Sequence, residues 1–110
     1  MVREITPAEL AERLARGEPT RLVDVRQPWE HEIAALAGSV LLPLDRLAYG
    51  EVELDPPPAE GELVVVYCHH GVRSLTGAAL LHRAGVHGAV SLAGGIDAWS
   101  VEEDPSLPRY

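Results

Sequence analysis

One thiol, two imidazoles and a guanidinium fall within six residues of one another in the stretch VVVYCHHGVRS, residues 64–74. Cys68 is the only cysteine of the 110-residue chain, and it follows three valines and a tyrosine. His69, His70, Gly71, Val72, Arg73 and Ser74 come directly after it. A free cysteine is most often a small buried hydrophobe. Placed after a buried strand and just ahead of a helix, it has a second use, as a nucleophile. A loop in that place turns its backbone N–H groups into its own concavity, and the positive end of the helix dipole points the same way. Such surroundings favour an anionic sulfur. Gly71 allows the positive φ that a tight arc needs. Arg73 is permanently charged and offers two parallel donors to an anion. Ser74 either caps the helix or donates to the same anion. These parts read as an anion cradle with a nucleophile at its centre.

The elements around this stretch support that placement. LVVVY, residues 63–67, is continuous, β-branched and bounded by turn signals, which predicts a strand buried on both faces. RSLTGAALLHRAG, residues 73–85, has leucines and alanines at helical spacing and a glycine stop. Upstream, REI at residues 3–5 predicts a short strand, and Thr6, Pro7, Glu9 and Gly17 frame a capped helix. RLVDV (21–25) predicts a strand, QPWEHEIAAL a brief helix opened by Pro28, and SVLLPL (39–44) a strand stopped by Pro43. DRLAYGEVELDPPPAEGE reads as a surface excursion, its triple proline at 56–58 excluding regular structure. GAVSLAGG predicts a short strand and GIDAWS a final helical turn or two. This alternation predicts a single α/β domain, a parallel central sheet of about five strands flanked by helices on both faces. In such sheets ligands sit beyond the carboxyl ends of the strands, which is where Cys68 stands.

Composition narrows the function classes. The net charge of −8 argues against nucleic acid as a partner. No apolar run approaches the roughly 20 residues that span a bilayer, and the N-terminal stretch lacks the apolar core of a signal peptide. A single cysteine forms no internal disulfide, so a reducing, cytoplasmic setting is the default. The nine basic residues are all arginine, a bias with no functional account. From Leu63 to Ile96 there is no Asp or Glu, although the chain holds seventeen; that window contains Arg73, Arg83 and four of the five histidines. A buried strand and helix exclude carboxylates in any case. The gap also leaves a positive local field that suits an anionic ligand and a thiolate.

CHHGVRS resembles the active-site loop of rhodanese-like domains: a cysteine, two variable residues, glycine, one variable residue, arginine, then serine or threonine. LVDVRQPWEHE is similar to another segment of that family at Asp24, Val25, Arg26, Pro28 and Glu30. AGSVLLPL is similar to a third at Gly38, Pro43 and Leu44, and LAGGIDAWS to its closing segment at Gly94, Gly95 and Trp99. Four segments in this order cover nearly the whole chain. The resemblance implies a rhodanese-like domain over residues 1–100 and a sulfurtransferase. Cys68 would take a sulfane sulfur from thiosulfate or a related small anionic donor, hold it as a persulfide, and yield it to cyanide, a thiol or a protein acceptor. With no second cysteine in the chain, the acceptor comes from outside.

Two departures stand out. Ala35 and Leu36 occupy the place of a histidine and an isoleucine common in the family, so no role passes to that histidine. Residues 101–110 form an acidic, proline-broken tail, expected to be disordered or to reach elsewhere. Other residues receive plainer readings. His69 and His70 either line the mouth with their side chains or supply only backbone N–H groups. Zinc on Cys68, His69 and His70 is disfavoured, because sequence neighbours diverge and no fourth ligand stands at customary spacing; no metal or cofactor is expected. His82 and His87 read as surface residues, and Trp29 and Trp99 as core. Asp24, Arg26 and Glu30 read as structural, Arg26 bridging to Glu30 to hold the loop after its strand. Two rival readings are a non-catalytic sulfur carrier or interaction module, and a phosphate or arsenate enzyme on the same cradle. Loop length separates the latter: four residues lie between Cys68 and Arg73, and related phosphatases have five.

Overall fold

The computed structural model of the chain describes residues 2–52 and 54–110; Met1 and Glu53, the latter inside the expected surface excursion, lie outside them. In chain order the elements are β1 (Glu4–Ile5), α1 (Pro7–Ala15), β2 (Thr20–Asp24), α2 (Pro28–Ile33), β3 (Val40–Leu41), α3 (Leu44–Ala48), β4 (Leu63–Tyr67), α4 (Arg73–Arg83), β5 (Val90–Leu92) and α5 (Gly95–Glu102). The five strands form one parallel sheet in the order β1-β5-β4-β2-β3.

The central strand explains the architecture. Val64 and Val66 of β4 face one core cluster with Val23, Leu47 and Leu81, while Val65 and Tyr67 face a second with Leu10, Leu22 and Ile96. That is the two-residue alternation of a strand with both faces covered, hence an unbroken apolar run. Burying each such valine contributes about 2 kcal/mol relative to exposure. Helices α3 and α4 cover the first face, and α1 and α5 the second.

The strand order also sets the position of the site. From β2 the chain steps outward to β3, then returns past β2 to β4 and continues the other way to β5. Connections leaving β2 and β4 therefore diverge to opposite faces, and a crevice opens beyond the carboxyl ends of this pair. The loop carrying Cys68 and the segment carrying Arg26 and Glu30 meet there.

The structure departs from the sequence expectations in three places. The strand expected over 39–44 shrinks to Val40–Leu41. Beyond it, Leu42 and Leu44 still donate to Asp24 and Val25 carbonyls, but Pro43 between them has no N–H to give. The excursion after it opens with α3, whose Leu47 is buried. Five residues with one buried leucine are too short for a helical period to register. Finally, residues 101 and 102 belong to α5, and the chain after it packs back on the domain, with Leu107 and Tyr110 against the second core cluster. Among the described residues, no helix is long and apolar enough to cross a membrane.

Candidate active site

Cys68 is the first residue beyond β4 and is 1% exposed. Its sulfur accepts N–H bonds from Gly71 at 3.1 Å and Ser74 at 3.3 Å. The thiol lies 3.4 Å from Ser74 Oγ, to which it donates, and that hydroxyl pairs with Ser91 Oγ at 2.7 Å. Helix α4 begins at Arg73, so its unpaired N-terminal amides and positive dipole end face the sulfur. Ser74 thus serves the sulfur and is not the helix cap, a position held by Val72.

The loop amides point inward because its carbonyls are pulled outward. The Cys68 carbonyl accepts from Ile96 N at 2.9 Å and the His69 carbonyl from Asp97 N at 3.1 Å, both at the start of α5. So close an approach requires Gly95. A Cβ there would stand 2.4 Å from His69 O and 2.5 Å from Cys68 O, at a φ of +63°. Gly71, at φ +95°, is also confined, though less tightly, with Gly94 N 2.9 Å from the Cβ it lacks. The paired glycines carry a sequence signal for such an approach. Ser91, a polar residue inside an apolar strand, carries one too.

Arg73 reaches across the crevice. Its guanidinium makes a two-point contact with Glu30 of α2, Nη1 to Oε1 at 2.7 Å and Nη2 to Oε2 at 2.9 Å. Glu30 Oε1 also accepts from Gln27 N at 3.0 Å, and Oε2 from the Tyr110 hydroxyl at 2.7 Å. The segment without acids is thus not a space without acids. Arg26 is fully buried and does not bond Glu30 directly. It binds both oxygens of Asp24 at 2.9 and 2.8 Å, donates to the Ala34 carbonyl, and donates to Tyr110 Oη at 2.7 Å. The expected Arg26–Glu30 bridge therefore passes through a tyrosine hydroxyl. Asp24 is completed by His31 Nδ1 at 2.7 Å.

Aromatic rings wall the mouth. His69 stacks on Tyr110 with centroids 3.9 Å apart and planes 6° off parallel, and His70 stacks on His69 at 3.9 Å. Trp29, read from the sequence as core, is 57% exposed and meets Tyr110 edge-on at 6.0 Å; Trp99 packs against the second core cluster. Trp29 misled because the first turn of α2 carries it to the crevice rim rather than under the helix. Burial and the adjacent His70 hold the His69 imidazole below its ordinary value. His82 is not a free surface residue, since its Nε2 bonds the Ala89 carbonyl at 2.7 Å, whereas His87 is exposed. Tyr110 had no signal in the sequence. Among the described residues, no group of three or more His, Cys, Asp or Glu side chains is arranged to hold a metal ion.

Glu30 makes a pH prediction. Hydrogen bonds from Arg73 hold its carboxyl down to about 2, against the opposing effect of burial, with further help from Gln27 N and Tyr110. The folded value lies below the ordinary 4.5, so Glu30 stabilises the fold fully above 4.5 and loses that contribution as pH falls toward 2. Melting temperature measured across this window is expected to fall in the native protein, and the Glu30→Gln curve should lack that component. Identical slopes for the two proteins would show that the pair contributes nothing.

A parallel α/β sheet with a buried thiol in an amide-lined loop, at the crevice where the strand order reverses, defines a class of domain built around one buried cysteine. The chain belongs to the rhodanese-like domain family, whose sequence model matches residues 6–102. It is 38% identical over 106 residues to the probable adenylyltransferase/sulfurtransferase MoeZ of Mycobacterium tuberculosis, covering 96% of this chain and 26% of that protein. It therefore spans about a quarter of that relative's length. It is 34% identical over 100 residues to a sulfurtransferase of Allochromatium vinosum, covering 91% of this chain and 90% of that protein. Among solved structures it is similar to the human single-domain sulfurtransferase TSTD1, with TM-score 0.79 and 27% identity over 94% of this chain and 99% of that one.

Proposed function

We propose that this domain is a sulfurtransferase in which Cys68 carries the sulfur. The sulfur–amide geometry carries the reading: Gly71 N and Ser74 N converge on Cys68 Sγ at the start of α4. Donors aimed at a sulfur anion stabilise a thiolate before transfer and a persulfide after it. With thiosulfate the step balances as Cys68–S⁻ plus S–SO₃²⁻ giving Cys68–S–S⁻ plus SO₃²⁻. An outside nucleophile, whether cyanide, a thiol or a partner protein's cysteine, then takes the outer sulfur and restores the thiolate. His69, His70, Gly71, Val72, Arg73 and Ser74 form the rim and floor through which donor and acceptor pass. The sulfurtransferase relatives support this reading, as does the four-residue spacing between Cys68 and Arg73, a shorter arc than a tetrahedral oxyanion needs.

Intact-mass measurement tests it. After incubation with a sulfane-sulfur donor, thiosulfate or an alkyl persulfide, the protein is expected to gain one sulfur atom. Cyanide should then remove it as thiocyanate. No gain with either donor would overturn the reading. Stable loading without turnover to small acceptors would favour a dedicated carrier.

A further inference from the structure

We propose that Glu30, held in place by Tyr110, selects the sulfur donor, and that the site is built for an organic persulfide R–S–SH rather than for an oxyanion such as thiosulfate. This rests on the sulfurtransferase reading and names its substrate class.

The cations at the mouth already have carboxylate partners. Arg73 gives both terminal nitrogens to Glu30. Arg26 is taken up by Asp24, the Ala34 carbonyl and Tyr110 Oη. Arg109 holds Asp97 through two contacts, at 2.9 and 3.2 Å. Three arginines thus face three carboxylates, and these six side chains together offer an arriving dianion no net charge.

A sulfonate could take the two-point face of Arg73 only by expelling Glu30; otherwise it meets single N–H groups of a guanidinium whose charge Glu30 already balances. The Glu30 carboxylate receives four donors, from Gln27 N, the two Arg73 nitrogens and Tyr110 Oη, and its side chain is only 4% exposed. Once displaced, it would be a nearly buried charge stripped of its main partner and set beside a dianion. Leaving such a charge uncompensated is among the costliest changes a site can undergo. The tyrosine adds to the barrier because its hydroxyl is itself oriented by the buried Arg26.

The walls suit an organic donor. The stacked rings of His70, His69 and Tyr110, the exposed edge of Trp29 and Val72, 73% exposed, offer flat and apolar surface next to the sulfur loop. The body of an alkyl persulfide can rest there without contesting the Arg73–Glu30 pair. The transfer is Cys68–S⁻ plus R–S–SH giving Cys68–S–SH plus R–S⁻. The R–S to S bond breaks, a Cys68 S–S bond forms, the leaving thiolate takes the electron pair, and no oxidant is consumed. The transferred sulfur arrives beside the Gly71 and Ser74 amides.

The test compares rate constants for loading Cys68 from thiosulfate and from the persulfide of 2-mercaptoethanol. Because the two donors differ in intrinsic reactivity, the readout is their ratio in each protein. Glu30→Gln removes the competing charge and frees the Arg73 donors. The thiosulfate-to-persulfide ratio is expected to rise about tenfold, through a lower KM for thiosulfate. Tyr110→Phe keeps the ring stack and removes only the hydroxyl; the ratio should move the same way by about threefold. Should Glu30→Gln fail to fold, Tyr110→Phe decides alone. Sulfur uptake with an unmoved ratio, or a change in kcat alone, would overturn the proposal and leave the sulfurtransferase reading standing. No uptake from either donor by the folded native protein would sink both.

Discussion

Cys68→Ser is expected to lose sulfur loading by on the order of a thousandfold or more while keeping the fold. Serine differs from cysteine by one atom, is slightly smaller, and can accept from the same Gly71 and Ser74 amides. The site is 1% exposed and packs in the first core cluster, so the stability change should stay near 1 kcal/mol. The chemistry cannot survive, because an alkoxide does not form at neutral pH and an oxygen holds no transferable sulfane sulfur. Stopped-flow or mass-resolved loading and a denaturant melt, run on the same preparation, separate the two effects. Loading at the native rate by this variant would place the sulfur elsewhere, and since Cys68 is the only cysteine it would end the persulfide mechanism.

Gly95→Ala is expected to be nearly as damaging without touching a reacting atom. The new Cβ would overlap the carbonyl oxygens of Cys68 and His69 at 2.5 and 2.4 Å, and those oxygens belong to backbone that cannot swing aside. They also anchor the loop to the α5 amides. Relieving the clash means moving the loop, which turns Gly71 N and Ser74 N away from the sulfur. Backbone strain at φ +63° adds to the overlap, and the sum is expected to reach about 3 kcal/mol. Loading should fall at least about tenfold, since misplacement of this kind costs heavily in rate. Gly85→Ala is the matched control. Its φ of +101° is also unfavourable, yet nothing lies within 4 Å of the added carbon. It should cost about 1 kcal/mol and leave loading intact. Equal losses of loading in the two variants would show that backbone strain alone, and not the approach of α5 to the loop, governs the site.

Much of this machinery was legible in residue order because it is local. A run of β-branched residues bounded by turns is a buried strand wherever it lies, and β4 occupies the residues read for it. The capping pattern at Thr6 and Glu9 needs only neighbours three apart, and both of its hydrogen bonds form. A cysteine between such a strand and a helix start is placed at the carboxyl end of the strand by those two elements, which is why the position of Cys68 was legible, while the inward turn of its loop rests also on the α5 amides. Helix α3 escaped because a single turn with one buried leucine has no period to detect.

What residue order could not decide was the partner of each charge. The window from Leu63 to Ile96 holds no acid, and on that ground Arg73 looked free to clamp an anion. Glu30 reaches it from 43 residues away, and Tyr110 reaches Glu30 from 80. Neither distance leaves a trace in spacing or periodicity, since ion pairs of this kind arise only when diverging connections bring two segments to one crevice. The sequence by itself determined the strands, the helix caps and the place of the thiol between β4 and α4, because strand runs and caps act on the backbone within a few residues. The tertiary structure alone decided that Arg73 is neutralised, that Arg26 speaks to Glu30 through a tyrosine, and that stacked rings lie at the mouth of the loop. Coulombic and stacking contacts depend on distance in space, which the fold sets and the chain order does not.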